Sequence, residues 1–388
     1  MPRPLWLFSL VNLVIGTGAF VIGGLLGPLA HDLGIGVPTA GQAMTAYALS
    51  TALLAPLVLL STGGWPRRNA LLLALALFAA GNVLCALAHS LTALLVGRVL
   101  MGLGAVFTPI SAGIAVALVR PAQRGKALAF VFLGISLSYV VGVPLGAWLG
   151  LAYGWHTPIW VVAALSGVAL VTVAVRVPAV IAAPGAGFGG IGALLARRDV
   201  LAALALTLLY FIAIFAVFTY IGPVLQALVP MSGARLSLTL ALFGLSGVAG
   251  TLIGGAANDR FGSRRTLLVQ LSVLGTTMVA LPLAAGSWGL LIAVLLVWGT
   301  AGFGMMAPQQ SRLAALAPAQ APLLLSLNTS MLYLGTATGA IVGGALASSL
   351  GFERLAWAGV PFVAAGLALL WFSHTSRPSV SSAQERSA

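Results

Sequence analysis

Acidic residues are almost absent from this chain. Its 388 residues include five Asp and Glu beside 18 Lys and Arg, and charged residues make up only 6% of the total. Soluble proteins carry about 25% charged residues, because charge has to cover a surface that faces water. So small a share excludes a soluble globular protein, and the surroundings of this chain must be largely apolar.

Cysteine is also scarce, since Cys85 is the only one. A disulfide framework and a metal cluster built on cysteine are therefore excluded. The four histidines are scattered, and no nucleotide-binding loop, Ser/His/Asp constellation or pair of carboxylates at catalytic spacing occurs. We predict that the protein is neither an enzyme nor an ATP-driven pump, and that it needs no cofactor and no metal.

Long apolar runs make up most of the chain. Hydrophobic residues account for 60% of it, and the mean hydropathy is +1.11. A helix of about 20 apolar residues crosses the hydrocarbon core of a membrane. The sequence therefore predicts an all-α polytopic membrane protein with twelve transmembrane helices. The predicted spans are about 5–29, 39–61, 70–89, 92–119, 127–150, 157–177, 200–226, 236–257, 266–286, 288–311, 323–350 and 355–373.

The basic residues fall almost entirely on one side of the predicted spans. With both termini cytoplasmic, fifteen of the 18 Lys and Arg are cytoplasmic, Arg235 and Arg354 are on the other side, and Arg98 lies inside a span. Cytoplasmic loops of membrane proteins are enriched in positive charge. This asymmetry predicts a multi-pass protein of a bacterial inner membrane with both termini cytoplasmic. It also explains the net charge of +13 without a nucleic acid partner.

The chain divides into two similar halves. Arg67 and Arg264 each follow the second span of their half, 197 residues apart, and Gly102 and Gly299 show the same separation in the fourth spans. Such an offset indicates duplicated six-helix bundles with a solute site between them. The predicted parts are a first bundle, residues 1–177; a cytoplasmic linker with a short interfacial helix, residues 178–199; a second bundle, residues 200–374; and a disordered cytoplasmic tail, residues 375–388.

The loop between the second and third spans of the second half holds a dense run of charge. Gly254 and Gly255 allow two helix backbones to approach, and Gly262 permits the positive φ of a tight turn. Asp259 is placed to accept hydrogen bonds from neighbouring helix N-termini. The pattern Asp-Arg-x-Gly-x-Arg-Arg resembles the cytoplasmic loop signature of the major facilitator superfamily, and the resemblance implies a latch that closes the cytoplasmic side in the outward-facing state. Its residues are Asp259, Arg260, Gly262, Arg264 and Arg265.

Two further runs resemble signatures of the same superfamily. In the fourth span, Arg98 followed by Gly102 is similar to the signature of that helix, which implies a role in coupling or in contact between the first and fourth helices. A charge at membrane depth costs about 2.5–3.5 kcal/mol, so Arg98 either has a function or extends to the outer surface. In the fifth span, glycines form one smooth packing face and a proline bends the helix. These residues, which resemble the antiporter signature of drug and sugar efflux transporters, are Gly142, Pro144, Gly146 and Gly150.

The chain departs from those efflux transporters in its acids. Members of the group often carry a membrane-buried carboxylate in the first span, whereas the corresponding run here, Gly16–Phe20, has none. A proton antiporter usually needs a titratable group at membrane depth. Proton coupling would then depend on Asp32, at the outer end of the first span and a candidate neighbour of Arg98. The alternative is that Asp32 is only a solvated acid at a helix end.

The remaining polar groups inside the spans are neutral and lie among aromatic residues, which suits a neutral or lipophilic solute better than an anion. The resemblance, to the drug/proton antiporter and arabinose-sugar efflux group, implies a monomer that exports a drug or sugar by alternating access and proton antiport. An uncoupled facilitator or solute exchanger is one alternative, and a transport-inactive membrane sensor or scaffold is another. Its partners would be the solute, protons and the lipid bilayer. The candidate cavity residues are Asn12, Phe20, Tyr139, Tyr210, Phe218, Trp298, Asn328 and Tyr333.

Overall fold

The computed structural model describes residues 3–120, 123–178 and 191–372, and over these residues all regular secondary structure is helical. Eleven continuous helical segments are long and apolar enough to cross a membrane, and the last of them, Leu323–Trp371, has 49 residues. At about 1.5 Å per residue this segment is more than twice as long as the hydrocarbon core is thick. It is interrupted at Gly351, where φ is 70°, so the described chain makes twelve crossings. The predicted fold class is confirmed.

The first six helices pack into one bundle. Their bounds are α1 (Pro4–Gly24), α2 (Val37–Leu59), α3 (Arg67–Ala86), α4 (Leu91–Ala117), α5 (Lys126–Tyr153) and α6 (His156–Arg176). In this bundle α1 packs on α5 and α6, α2 packs on α4, and α3 packs on α4 and α6.

The last six helices repeat that arrangement. Their bounds are α7 (Arg198–Phe218), α8 (Gly233–Phe261), α9 (Ser263–Ala284), α10 (Trp288–Leu316), α11 (Ala321–Arg354) and α12 (Val360–Phe372). Here α7 packs on α11 and α12, α8 packs on α10, and α9 packs on α10 and α12. The same five helix pairs therefore recur six helices later, as the repeated sequence landmarks predicted.

Much of the predicted linker, 178–199, and all of the predicted tail, 375–388, lie outside the described residues. The described end of the linker contains a short helix, Ile191–Leu195. The bundle boundaries given above therefore stay a prediction.

Helices α1, α2 and α5 each depart from regular α geometry. α1 tightens into a 3-10 turn at Val21–Gly24, while α2 and α5 widen into π turns at Ser50–Leu54 and Ser138–Gly142. Each π turn is followed within two residues by a proline, Pro56 or Pro144. Proline has no N–H to donate to the carbonyl four residues earlier, so the regular hydrogen-bond pattern cannot pass through it. The distortion that was expected at Pro144 is therefore the π turn Ser138–Gly142.

The two bundles touch towards one end of their helices. The Tyr220 hydroxyl, just after α7, donates to the Ala340 oxygen of α11 at 2.9 Å and to the Pro38 oxygen of α2 at 3.4 Å. Nearby, a Cβ atom on Gly222 would lie 2.9 Å from the Gly24 carbonyl oxygen, so only glycine fits there. We call this end of the molecule the Tyr220 side.

The opposite end carries the loop from α2 to α3 and the loop from α8 to α9. We call it the basic side, because these loops contain Arg67, Arg68, Arg264 and Arg265. The extensive contacts between the bundles join α2 with α11, α5 with α8, and α1 with the short helix Ile221–Leu228 that follows α7. They lie at the Tyr220 side and in the middle of the helices.

Candidate functional site

Arg98 is a charge buried inside the first bundle. Its side chain extends from α4 and is only 2% exposed. The guanidinium donates to the Ala43 oxygen at 3.0 Å, the Gly18 oxygen at 2.8 Å and the Ala19 oxygen at 2.7 Å. The two α1 carbonyls precede the 3-10 turn Val21–Gly24, where the tighter pattern leaves the preceding carbonyls without their usual partners. Arg98 therefore joins α1, α2 and α4, and the alternative that it extends to the outer surface is wrong.

Asp32 does not neighbour Arg98. It ends the separate short helix Leu26–Asp32, is exposed, and accepts a hydrogen bond from Trp155 Nε1 at 2.9 Å. The expected proximity is wrong because α1 ends at Gly24 and Asp32 belongs to the next helix. Instead of contacting a carboxylate, the Arg98 guanidinium lies over the face of the Tyr47 ring, whose centroid is 5.0 Å from the guanidinium carbon. Such a cation–π contact adds to the attraction of the carbonyl dipoles.

None of the four acidic residues that the structure describes is buried. They are Asp32, Asp199, Asp259 and Glu353. Over the same residues the only ion pair joins Arg197 and Asp199 at 2.7 Å. The hydrogen bond that the Arg197 guanidinium donates to the Asp199 carboxylate raises the pKa of Arg197, so Arg197 stays charged at physiological pH. The described part of the spans thus contains no buried carboxylate.

Aromatic rings from both bundles meet in the middle of the molecule. Tyr139 of α5 is stacked on Phe20 of α1 with 5.0 Å between ring centroids, and it contacts Phe303 of α10 at 4.9 Å. Phe243 of α8 lies 5.8 Å from Phe218. We call this group the interface aromatic cluster. Its members are Phe20, Tyr139, Phe215, Phe218, Phe243, Trp298 and Phe303.

Trp298 carries an unpartnered hydrogen-bond donor within this cluster. Its indole is 2% exposed and lies 5.1 Å from the Phe243 ring. Its Nε1 has no hydrogen-bond partner among the described residues. A buried polar group without a partner costs about 1–3 kcal/mol, so the site favours a ligand that brings an acceptor.

Asn12 and Asn328 each join helices within their own bundle. Asn12 of α1 accepts from the Thr108 hydroxyl of α4 at 2.7 Å and donates to the Val131 oxygen of α5 at 3.2 Å. In the second bundle the Thr207 hydroxyl of α7 donates to Asn328 of α11 at 2.6 Å. Both asparagines are buried by these contacts, and their role as cavity residues stays a prediction.

The two remaining cavity candidates lie at the edges of the cluster. Tyr210 donates its hydroxyl to the Gly302 oxygen, and its ring is 5.5 Å from Phe211. Tyr333 of α11 meets Tyr47 of α2 across the interface at 6.3 Å between centroids. Tyr333 is therefore one ring away from Arg98, which lies behind Tyr47.

The glycine face of α5 packs directly on α1. A Cβ atom on Gly142, Gly146 or Gly150 would in each case collide with a side chain of α1 or of Leu25, the residue that follows it. The facing residues are Thr17, Val21 and Leu25, which are spaced four apart like the glycines. α11 presents an equivalent face to α7 with Gly335, Gly339 and Gly343. The sequence signature thus has a packing role in this structure.

The loop between α8 and α9 contains the predicted glycine turn. Gly262 has a φ of 78°, as expected. Gly254 packs against the Gly304 backbone of α10, but a Cβ atom on Gly255 would meet nothing within 4 Å, so the expectation for Gly255 is wrong. Asp259 is exposed in the last turn of α8, and its carboxylate accepts a hydrogen bond from the Asn258 amide at 3.5 Å. It does not accept from a helix N-terminus, because α8 continues past it to Phe261.

The basic residues of this loop make no extensive contact with the first bundle. The Arg260 guanidinium lies 5.2 Å from the ring centroid of its neighbour Phe261. Arg264 and Arg265 are in the first turn of α9, at the basic side. The latch role of this loop stays a prediction.

Sequence reasoning missed three contributors to the site. Phe215 and Phe243 belong to the cluster but stand in uniformly apolar runs, where an aromatic residue that faces lipid has the same signature. Phe215 lies one turn from Phe211 and Phe218, and that helical spacing was the available signal. Tyr47, which covers Arg98, was equally detectable as the aromatic residue of a polar stretch in α2.

The family comparison agrees with this architecture. A model of the Major Facilitator Superfamily matches two overlapping segments, residues 8–321 and 226–388. The chain belongs to the major facilitator superfamily. It is therefore related to multi-pass membrane transporters and not to enzymes.

Two curated relatives in this superfamily span nearly the same length. The inner membrane transport protein YdhP of Escherichia coli K12 is 33% identical, over 95% of this chain and 94% of that protein. The chloramphenicol resistance protein of Streptomyces lividans is 34% identical, over 88% of each chain. Among solved structures, a bacterial homologue of the human lysosomal transporter Spinster has a TM-score of 0.82 at 16% identity, over 97% of this chain and 98% of that one. The last likeness concerns the fold alone.

Proposed function

We propose that this protein exports a small neutral or lipophilic solute, a drug in preference to a sugar, across a bacterial inner membrane. The interface aromatic cluster carries the proposal, because both bundles contribute rings to it. A site walled by rings, with few polar groups and no buried carboxylate in the described spans, suits an uncharged solute. The relative named as a chloramphenicol resistance protein supports a solute of the drug class.

Trp298 would orient the solute in this site. Its buried Nε1 lacks a partner, so a carbonyl or hydroxyl oxygen of the solute would complete the hydrogen bond. Replacing Trp298 by Phe keeps the ring and removes the donor. One hydrogen bond contributes about 0.5–1.5 kcal/mol, so we expect KM to rise up to about tenfold with little change in protein yield.

The transport cycle would proceed by alternating access. With both termini cytoplasmic, the contacts around Tyr220 would close the outer side, and this conformation would be the inward-facing one. Rocking of the bundles about the cluster would part those contacts and bring the basic side together. The loop residues Asp259, Arg260, Gly262, Arg264 and Arg265 would then form the latch. Because one chain supplies both walls of the site, a monomer is sufficient.

Asp32 decides between two coupling schemes. In proton antiport, the Asp32 carboxylate, which accepts a hydrogen bond from Trp155, would take up and release the proton. Arg98 would hold α1, the helix that precedes Asp32, in place. Uncoupled facilitation or solute exchange is the second candidate. It is favoured by the observation that none of the described acids is buried in a span.

Transport assays with purified protein in liposomes test both the proposed solute class and the coupling scheme. Solute flux and pH change in the lumen are recorded with chloramphenicol and with arabinose, for wild type and for Asp32→Asn and Trp298→Phe. Trp371→Phe is the matched control, because Trp371 is 66% exposed. We expect chloramphenicol flux that Trp298→Phe weakens and Trp371→Phe leaves unchanged.

The proton signal then separates the coupling schemes. Proton movement that is lost in Asp32→Asn supports antiport, whereas solute flux without proton movement supports the uncoupled scheme. An absence of flux for every solute, in protein that retains its fold, would contradict transport of these classes and favour the sensor alternative.

A further inference from the structure

A groove opens on the outside of the second bundle between α9 and α12. Its volume is about 420 Å³, within the range of about 300–1,000 Å³ that is typical of ligand pockets. Thr276 turns its hydroxyl to the Ser272 oxygen of its own helix at 2.9 Å, so the wall that it presents is apolar. The walls include Gly275, Thr276 and Val279 of α9 and Val360, Val363 and Ala364 of α12.

The groove occupies the depth of a single membrane leaflet. On α12 it begins at Val360, the first residue of that helix, and extends to Leu367. At about 1.5 Å per residue this is roughly 10 Å, less than half of the hydrocarbon core of about 30 Å. Its surroundings are lipid tails, so a lipid chain of the leaflet at the Tyr220 side has direct access to it.

An arginine and a tryptophan stand at the mouth of the groove. Trp357 is 40% exposed and donates Nε1 to the oxygen of Val279, a wall residue, at 3.3 Å. The Arg354 guanidinium carbon lies 6.0 Å from the centroid of the Trp357 ring. Arg354 is exposed, and no carboxylate of the described residues, its neighbour Glu353 included, lies within 4 Å of it. Its charge is therefore available to an anion.

We propose that this groove is a binding site for one anionic phospholipid of the outer leaflet. One acyl chain lies between α9 and α12, and the phosphate binds the Arg354 guanidinium beside the Trp357 indole. Tryptophan is enriched at the membrane interface, and arginine matches the geometry of phosphate oxygens. The site is separate from the interface aromatic cluster, so it does not depend on the solute or its coupling.

Native mass spectrometry of the full chain in detergent tests this site with two lipids of equal chains. Dioleoylphosphatidylglycerol carries the phosphate, and dioleoylglycerol lacks it. The variants are Arg354→Gln at the mouth, Thr276→Phe and Ala364→Phe in the walls, and Arg235→Gln as the matched control. Arg235 lies 5.3 Å from the Trp288 ring on the same side of the membrane, so it reproduces the Arg–Trp arrangement away from α9 and α12.

We expect Arg354→Gln to weaken dioleoylphosphatidylglycerol binding about fivefold, since a basic residue near an anionic lipid surface contributes about 1 kcal/mol. It should leave dioleoylglycerol unchanged, whereas both wall variants should weaken both lipids. Arg235→Gln should change neither lipid by as much as twofold. Thermal unfolding of each variant confirms that the fold is kept.

Three results would overturn the proposal. Equal losses in Arg354→Gln and Arg235→Gln would indicate diffuse attraction to a positive surface. Unchanged binding in both wall variants would show that no chain enters the groove. A lipid-free dimer that Thr276→Phe dissociates would show that a second copy of the chain covers this face.

Discussion

Arg98 illustrates how a single charge can be accommodated at membrane depth without an acid. Three backbone carbonyls from two neighbouring helices accept its hydrogen bonds, and the Tyr47 ring covers one face. The Gly18 and Ala19 carbonyls are available because α1 tightens into the 3-10 turn Val21–Gly24 directly after them. The burial of Arg98 and the 3-10 turn of α1 thus have one common explanation, which hydropathy alone does not provide.

Replacing Arg98 by Leu should destabilise the first bundle. The variant leaves the Ala43, Gly18 and Ala19 carbonyls without their donor, and we expect a loss of roughly 2–5 kcal/mol. Denaturant unfolding of the purified protein measures it. Arg235→Leu is the control, because Arg235 is exposed and makes a cation–π contact that contributes about 0.5–1 kcal/mol. Equal losses in the two variants would show that the hydrogen bonds of Arg98 contribute nothing.

Between helices, the close packing of α1 and α5 depends on matching four-residue spacings. The three glycines of this face of α5 each receive a side chain of α1 or of the residue that follows it, and a second glycine face packs from α11 on α7. Small residues allow helix backbones to approach within membranes, where packing replaces the hydrophobic effect as the main attraction. The resemblance to an antiporter signature does not by itself require antiport.

Gly146→Val should destabilise the protein by about 1–3 kcal/mol, because its side chain would collide with Val21. Val21→Ala makes room, so the double variant should recover part of that loss, with a coupling energy above about 0.5 kcal/mol. Unfolding of the two single variants and the double variant measures the cycle. Gly167→Val of α6 is the control, since a Cβ atom there meets nothing within 4 Å. Simple additivity of the two changes would refute the proposed contact.

The helices, the repeat and the glycine faces could be predicted from the sequence, because each shows a characteristic period or spacing. The sequence was not sufficient for the 3-10 turn of α1, which depends on a guanidinium that α4 supplies. It also did not reveal that Trp155 donates to Asp32, since those residues are distant in the chain. Phe20, Tyr139, Phe218 and Trp298 were predicted as cavity residues, and that role stays a prediction. Their ring contacts across both bundles are visible only in the structure.

At the scale of the whole molecule, the contact between α5 and α8 joins the bundles from the middle of the helices towards the Tyr220 side. A Cβ atom on Gly244 would collide with the Tyr139 carbonyl oxygen, which belongs to the other bundle. Gly244→Val should therefore force the bundles apart there and favour the state that opens at the Tyr220 side. Gly255→Val on the same helix has free space and serves as the control.

Spin labels at Gly36→Cys and Ser348→Cys, in a Cys85→Ser background, measure that opening. Both positions are exposed near the ends of α2 and α11 at the Tyr220 side. We expect a population at longer distance in Gly244→Val and an unchanged distribution in Gly255→Val. Identical distributions in the two variants would refute the idea that the backbone contact at Gly244 holds this side closed.

The hydrogen bonds of Arg98 also have an electrical consequence. Its charge is held by α1, α2 and α4, so in the proposed rocking motion it would move only as far as the first bundle moves. Moving one elementary charge across the whole membrane changes its electrical free energy by about 2.3 kcal/mol per 100 mV. A short displacement changes it by only a small fraction of that amount. The described spans bury no carboxylate that would add to it. In the proposed cycle the empty protein should return at a rate nearly independent of voltage, and any transport current would then report the charge of the solute or of an ion that moves with it.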